Sequence, residues 1–185
     1  MVTRMQVYER TTPGFSLCGL NCVLCPRYNT DGISRCPGCG GPDFYLKHPS
    51  CAIINCSKKN GAIEYCFACD KYPCDRFSRM GGRDSFISYR NVLADNDKAR
   101  ANLKRYVSDL GKKKEYLDYF LKEYNDGRSK GFFCLAINLL PIEDIGQIIA
   151  IVKEKEKHRK PESEIVKGLF CEKAKNRGIE LVLRR

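Results

Sequence analysis

The sequence has no tryptophan, three methionines and only two histidines, His48 and His158, in 185 residues. Neither histidine has visible company for a nucleophile–base set, and no paired carboxylates or Gly-rich phosphate loop occur. Hydrolytic and nucleotide-dependent catalysis of the familiar kinds is therefore not expected. No apolar run approaches the ~20 residues needed to span a bilayer. The opening MVTRMQVYER has no apolar h-region, so a secretory signal is excluded and a cytoplasmic location is expected. Internal repeats and long linkers are absent as well. With 43% hydrophobic and 30% charged residues, the chain has enough apolar material for a packed core.

What is abundant is cysteine. Ten of the twelve fall within 57 residues: Cys18, Cys22, Cys25, Cys36, Cys39, Cys51, Cys56, Cys66, Cys69 and Cys74. Such density means either disulfides or metal, and a chain without an export signal favours metal. Three pairs, Cys22/Cys25, Cys36/Cys39 and Cys66/Cys69, have C-x-x-C spacing. A C-x-x-C knuckle turns both sulfurs toward one point about 2.3 Å from a zinc ion. In Cys36-Pro37-Gly38-Cys39-Gly40-Gly41 the proline presets the turn. Its glycines permit positive φ and let backbone N–H groups approach thiolate sulfur.

The segment also lacks a core of its own. Apart from cysteine, residues 18–74 hold ten large aliphatic or Phe residues, with six Gly and five Pro. That is too thin to offset the chain entropy, whereas one structural zinc contributes roughly 10–16 kcal/mol of apparent binding free energy. Spacing leaves the grouping open. A sequential order joins Cys22/Cys25 to Cys36/Cys39, and Cys51/Cys56 to Cys66/Cys69; a cross-braced order swaps the middle pairs. Both leave Cys18 and Cys74 over. Two zinc sites are expected, and three would draw on His48 and Cys134. Cys18-x3-Cys22-x2-Cys25 is also the spacing by which radical S-adenosylmethionine enzymes hold an Fe–S cluster. The helical remainder of the chain argues against their barrel. A plain Fe–S cluster on Cys18, Cys22, Cys25 and a remote cysteine is the alternative to zinc.

From residue 84 onward helical periodicity takes over. Asp97 is expected to cap a helix with Leu103, Tyr106, Val107 and Leu110 on its apolar face and Gly111 as its stop. A Tyr-rich helix comes next over 116–124, ending at Asn125-Asp126-Gly127. Phe132 to Leu140 reads as a buried helix. Pro141 starts another, with Glu143 and Asp144 at its N-terminal end and Ile142, Ile145, Ile148, Ile149 and Val152 inward. Pro161 opens the last helix, with Ile165, Val166, Leu169 and Phe170 inward and Gly178 as its stop. Ile179, Leu181 and Leu183 then alternate as a short terminal strand. Cys134 and Cys171 read as small buried hydrophobes, and His158 as a solvated residue.

The expected architecture is an N-terminal segment (1–17), an irregular metal-stapled Cys-rich module of zinc-knuckle type (18–74), and a mainly α-helical part (75–185) packed on it as one compact unit. The formal charge is +11. Each zinc held by four thiolates carries −2, so two sites would bring the protein to +7. The basic excess lies in residues 75–185, with 25 basic against 17 acidic residues. Lys98, Arg100, Lys104, Arg105, Lys112, Lys113 and Lys114 oppose only Asp109. Nucleic acid is thus a third functional reading, behind a structural or interaction module and a metal-dependent enzyme. A protein partner suits the first reading, and no membrane is expected.

The pattern Cys18-Gly-Leu-Asn-Cys22-Val-Leu-Cys25-Pro-Arg-Tyr, Cys36-Pro-Gly-Cys39, Cys51-Ala-Ile-Ile-Asn-Cys56 and Tyr65-Cys66-Phe-Ala-Cys69-Asp-Lys-Tyr-Pro-Cys74 resembles the prokaryotic domain of unknown function 3795 family. The stretches Tyr124 to Leu140 and Gly178 to Arg184 are similar to longer members. The resemblance implies a cytoplasmic, cysteine-rich, zinc-binding protein. It carries over the ten clustered cysteines as ligand candidates and no catalytic residue.

Overall fold

A computed structural model describes residues 9–48, 51–78, 80 and 82–185. Its main elements are eight helices: α1 (Phe44–Lys47), α2 (Ala52–Lys59), α3 (Asp75–Ser78), α4 (Val92–Ala101), α5 (Leu103–Tyr124), α6 (Lys130–Leu139), α7 (Ile142–Glu156) and α8 (Ser163–Asn176). Two 3-10 turns, Cys22–Leu24 and Cys66–Ala68, punctuate the cysteine-rich half. Among the described residues there is no strand.

α6 is the centre of the molecule. Every residue from Phe133 to Leu139 is buried, so the helix is apolar on all sides and must be enclosed on all sides. α5, α8 and the first 3-10 turn pack against it. Phe120 of α5, Phe133 of α6 and Phe170 of α8 meet with ring centroids 5.5, 4.9 and 5.8 Å apart. Burying each such ring contributes about 1.5–3 kcal/mol. α7 begins after Pro141, as expected, and buries Ile145, Ile148 and Val152. Asp144 in its first turn is buried and paired with Arg177 beyond the end of α8, Nε to Oδ2 at 2.8 Å.

Several expectations fail for local reasons. Asp97 does not cap; it sits inside α4, and Asn102 is the cap of α5, accepting from the Arg105 N–H at 3.0 Å. Gly111 does not stop the helix, which runs 22 residues. One interior glycine costs only about 1 kcal/mol, and the apolar line Tyr106, Leu110, Leu117, Phe120, Tyr124 continues through it. Leu103 and Val107 are exposed. In α8, Val166, Phe170 and Ala174 form the buried stripe. Ile165 is 50% exposed, and Cys171, expected inside, is also exposed. Each neighbours a stripe residue and is therefore turned about 100° away from it.

α8 ends where Gly178 takes φ +64° and the Ile179 N–H bonds back to the Ala174 carbonyl at 2.8 Å. The terminal strand does not form. Ile179 and Leu181 do pack on the core, but the carbonyls of Glu180 and Val182 are taken by the Arg90 guanidinium, not by a neighbouring strand. The end of the tail is clamped by Asp84, which receives the Arg184 N–H at 2.9 Å and its guanidinium at 2.8 Å.

The cysteine-rich half shares the main core. Phe15, Leu24 and Tyr65 belong to the same buried cluster as α5, α6, α7 and α8. A second, smaller cluster is built from that half alone: Leu17, Cys39 and Ile54, with Cys22, Phe44, Cys51, Ile53, Ile63 and Cys66 around them.

Candidate metal centre

Two of the three C-x-x-C pairs fold into the same turn. The Cys25 N–H bonds to the Cys22 carbonyl at 2.9 Å, and the Cys69 N–H to the Cys66 carbonyl at 3.0 Å. The second cysteine of each pair is extended, with φ, ψ of −74°, 138° and −84°, 136°. The third pair turns on Gly38, at φ +86°. A Cβ there would lie 2.4 Å from the Pro13 carbonyl oxygen, and that carbonyl accepts the Cys39 N–H at 2.9 Å. Only glycine fits so close to another stretch of backbone in that conformation.

Backbone donors do reach the sulfurs, but mostly not from Gly40 and Gly41. Leu20 serves Cys18, Cys39 serves Cys22, Arg27 and Tyr28 serve Cys25, and Leu17 serves Cys39. The Ser16 hydroxyl adds a contact to Cys18 Sγ at 3.1 Å. Such donors favour thiolate over thiol.

The cysteines gather in two neighbourhoods. Cys56, Cys66, Cys69 and Cys74 line one small cavity of about 40 Å³, walled by Ile53, Ile63, Tyr72 and Phe77. Burial pushes the Cys66 thiol up to about 12, with the charges of Cys18, Cys74, Cys56 and Cys69 adding to it. Cys18, Cys22, Cys39 and Cys51 form the second, and Cys66 lies between the two, packed on the cluster of Leu17, Cys39 and Ile54 and acted on by Cys18. Burial raises Cys18 to about 11, helped by Cys39 and Cys51, and raises Cys22 and Cys39 as well. Cys25 is placed with Cys36 and is the thiol that most affects Cys134.

Cys51 and Cys56 part company because Cys51 caps α2 and Cys56 lies five residues along it, about 7.5 Å further by helical rise. Cys18 is buried, and Cys74 lines the cavity. Among the described residues, no three His, Cys, Asp or Glu side chains are arranged so that they could hold a metal ion as they stand. The structure supplies one cavity lined by four cysteines and two matching C-x-x-C turns, not a coordination sphere.

His48 is exposed and stacks on Phe44, 5.0 Å between centroids. Cys134 is 1% exposed in the main core, its thiol pushed up to about 12 by burial. His158 is exposed, as expected.

Sequence reasoning missed Arg10. Its buried guanidinium donates to the carbonyls of Phe15 and Cys39 at 2.9 and 3.3 Å and to that of Glu64 at 2.8 Å. It pairs with the Glu64 carboxylate and lies over the Tyr65 ring. Its charge offsets part of the upward pressure on Cys39. A lone arginine before the first cysteine carries no spacing signal that would have marked it.

Residues 14–79 match the model of a family described as protein of unknown function, DUF3795. The match covers about a third of the chain and marks what these residues are similar to. The matched range contains all ten clustered cysteines and the whole of both neighbourhoods. It does not reach the stretches 124–140 and 178–184. No curated protein and no solved structure matches the chain. No helix among the described residues is long and apolar enough to cross a membrane.

Proposed function

We propose that the cysteine-rich half binds two zinc ions and that the metal staples a structural or interaction module onto the helical core. Cys56, Cys66, Cys69 and Cys74 would hold one ion, and Cys18, Cys22, Cys39 and Cys51 the other. The observation that carries this reading is the cavity lined by four cysteines. Its volume of about 40 Å³ compares with the roughly 30 Å³ share of one water molecule. Sulfur-only donors in fours match tetrahedral zinc. When bound, zinc supplies positive charge where four thiols crowd together, and the backbone donors already present would orient the sulfurs.

Elemental analysis of protein purified without added metal is expected to give two zinc per chain and a colourless solution. Cys69→Ser with Cys74→Ser should remove one equivalent and leave the other. A brown protein with stoichiometric iron would overturn the zinc assignment in favour of an Fe–S cluster.

The nucleic-acid reading gains nothing from the fold. Lys113 is turned inward to the Leu140 carbonyl, Lys114 is tied to Asp118, and Lys112 lies over the Tyr116 ring. Three of the seven basic residues are thus engaged within the chain.

A further inference from the structure

A second cavity, of about 490 Å³, lies between α4, α5 and the start of α7, outside both cysteine neighbourhoods. Asp95 and Lys113 both line it. Asp95 is 7% exposed. Its Oδ2 accepts from Asn21 Nδ2 at 3.0 Å, and the cation nearest it is the solvent-exposed Lys98 ammonium at 3.9 Å. Lys113 Nζ donates to the Leu140 carbonyl at 2.7 Å and, at the limit of 3.5 Å, to that of Asn138. It makes no ion pair among the described residues. Each is nevertheless the strongest charge acting on the other. Burial raises Asp95 and lowers Lys113, the latter to about 8.

Asp95 is buried and Lys113 half-buried, so both have lost part of their hydration, which a partner in the cavity can replace. Here they face one cavity without touching. An ammonium has three donors, and Lys113 spends one well. A carboxylate has about four acceptor sites, and Asp95 has Asn21 Nδ2 and the Tyr106 hydroxyl beside it, which leaves it room for a further donor. The Tyr106 hydroxyl, 2.8 Å from Asn21 Oδ1, holds Asn21 in place. Leu110 and Ile142 supply apolar wall, and the volume falls in the range of small-molecule sites.

We propose that this cavity binds a small zwitterion of the amino-acid class, its carboxylate on Lys113 and its ammonium on Asp95, with its methylenes against Leu110 and Ile142. This proposal is independent of metal binding.

The test is calorimetric titration of the full chain with glycine, β-alanine and γ-aminobutyrate, which differ in charge separation, against acetate and ethylammonium as single-charge controls. At least one zwitterion should bind with Kd of about 1 mM or tighter, and both controls at least tenfold more weakly. Lys113→Met and Asp95→Asn should each weaken the preferred zwitterion tenfold or more at unchanged zinc content. Absence of zwitterion binding, or equal binding of a control, overturns the proposal. So does a folded variant that binds as well as the parent. If a variant loses its helical signal, the discrimination among probes by the parent protein decides alone.

Discussion

Asp84 shows how one side chain can hold a chain end. Its carboxylate is wholly enclosed, while Arg184 across from it is 35% exposed. Burial alone would raise its pKa. The Arg184 guanidinium and N–H and the Tyr89 N–H outweigh burial and hold it well below the ordinary value of 3.8. A carboxylate whose folded value is depressed adds stability that is complete above 3.8 and is lost as pH falls through the folded value. Asp84→Asn should therefore destabilise the protein by about 1–3 kcal/mol near neutral pH, the range for hydrogen bonds to a charged group. In denaturant titrations the difference between parent and variant should stay constant from pH 8 to pH 4 and shrink only below that. A difference that already vanished near pH 5 would show that the clamp contributes nothing beyond an ordinary surface pair.

At the scale of elements, Gly111 offers a direct check on why sequence pattern alone makes α5 too short. It is exposed and in helical conformation, and a Cβ added there meets nothing within 4 Å. Gly111→Ala should raise stability by up to about 1 kcal/mol in a denaturation curve. Loss of stability would mean that the helix needs the glycine after all. Glycine is an ambiguous mark: Gly178 ends a helix through a positive φ and Gly111 does not. The residues on the C-terminal side of each tell them apart, since apolar helical spacing resumes after Gly111 and not after Gly178. α6, α7 and the end of α8 were legible because their apolar spacing, Pro141 and Gly178 act locally. The knuckle turns and the glycine at 38 were legible for the same reason. The outward turn of Ile165, the exposure of Cys171 and the loss of the terminal strand were not. Each depends on which neighbour arrives: the tail's carbonyls meet an arginine side chain where a strand would need backbone. The cavity was hidden likewise, since it brings Cys56 of α2 beside Cys66, Cys69 and Cys74, an approach that spacing alone does not dictate.

For the whole molecule, the two clusters set what metal removal can do. The first knuckle is rooted in the main core: Leu24 is fully buried there, and Asn21 beside it bonds to Asp95 of α4 and Asn138 of α6. The second cluster, by contrast, has only Leu17, Cys39 and Ile54 fully inside and cysteines among its surrounding residues. A core that small does not hold a segment of this length by apolar burial. A chelator should therefore divide the molecule unevenly. In hydrogen exchange monitored by mass spectrometry, α2 and the turn at Cys66–Ala68 should lose protection on metal removal. α5, α6, α7 and α8 should keep most of theirs, and the turn at Cys22–Leu24 should stay protected with them although it carries a proposed ligand. Simultaneous loss across all helices would mean that the small cluster and the large one unfold as one cooperative unit. Loss confined to both knuckles equally would mean that the first is held by metal, not by the side chains of Leu24 and Asn21. The expected asymmetry comes from degree of burial: Leu24 of the first turn is fully buried in the main core, whereas Phe67 of the second only packs partly against it beside Tyr65.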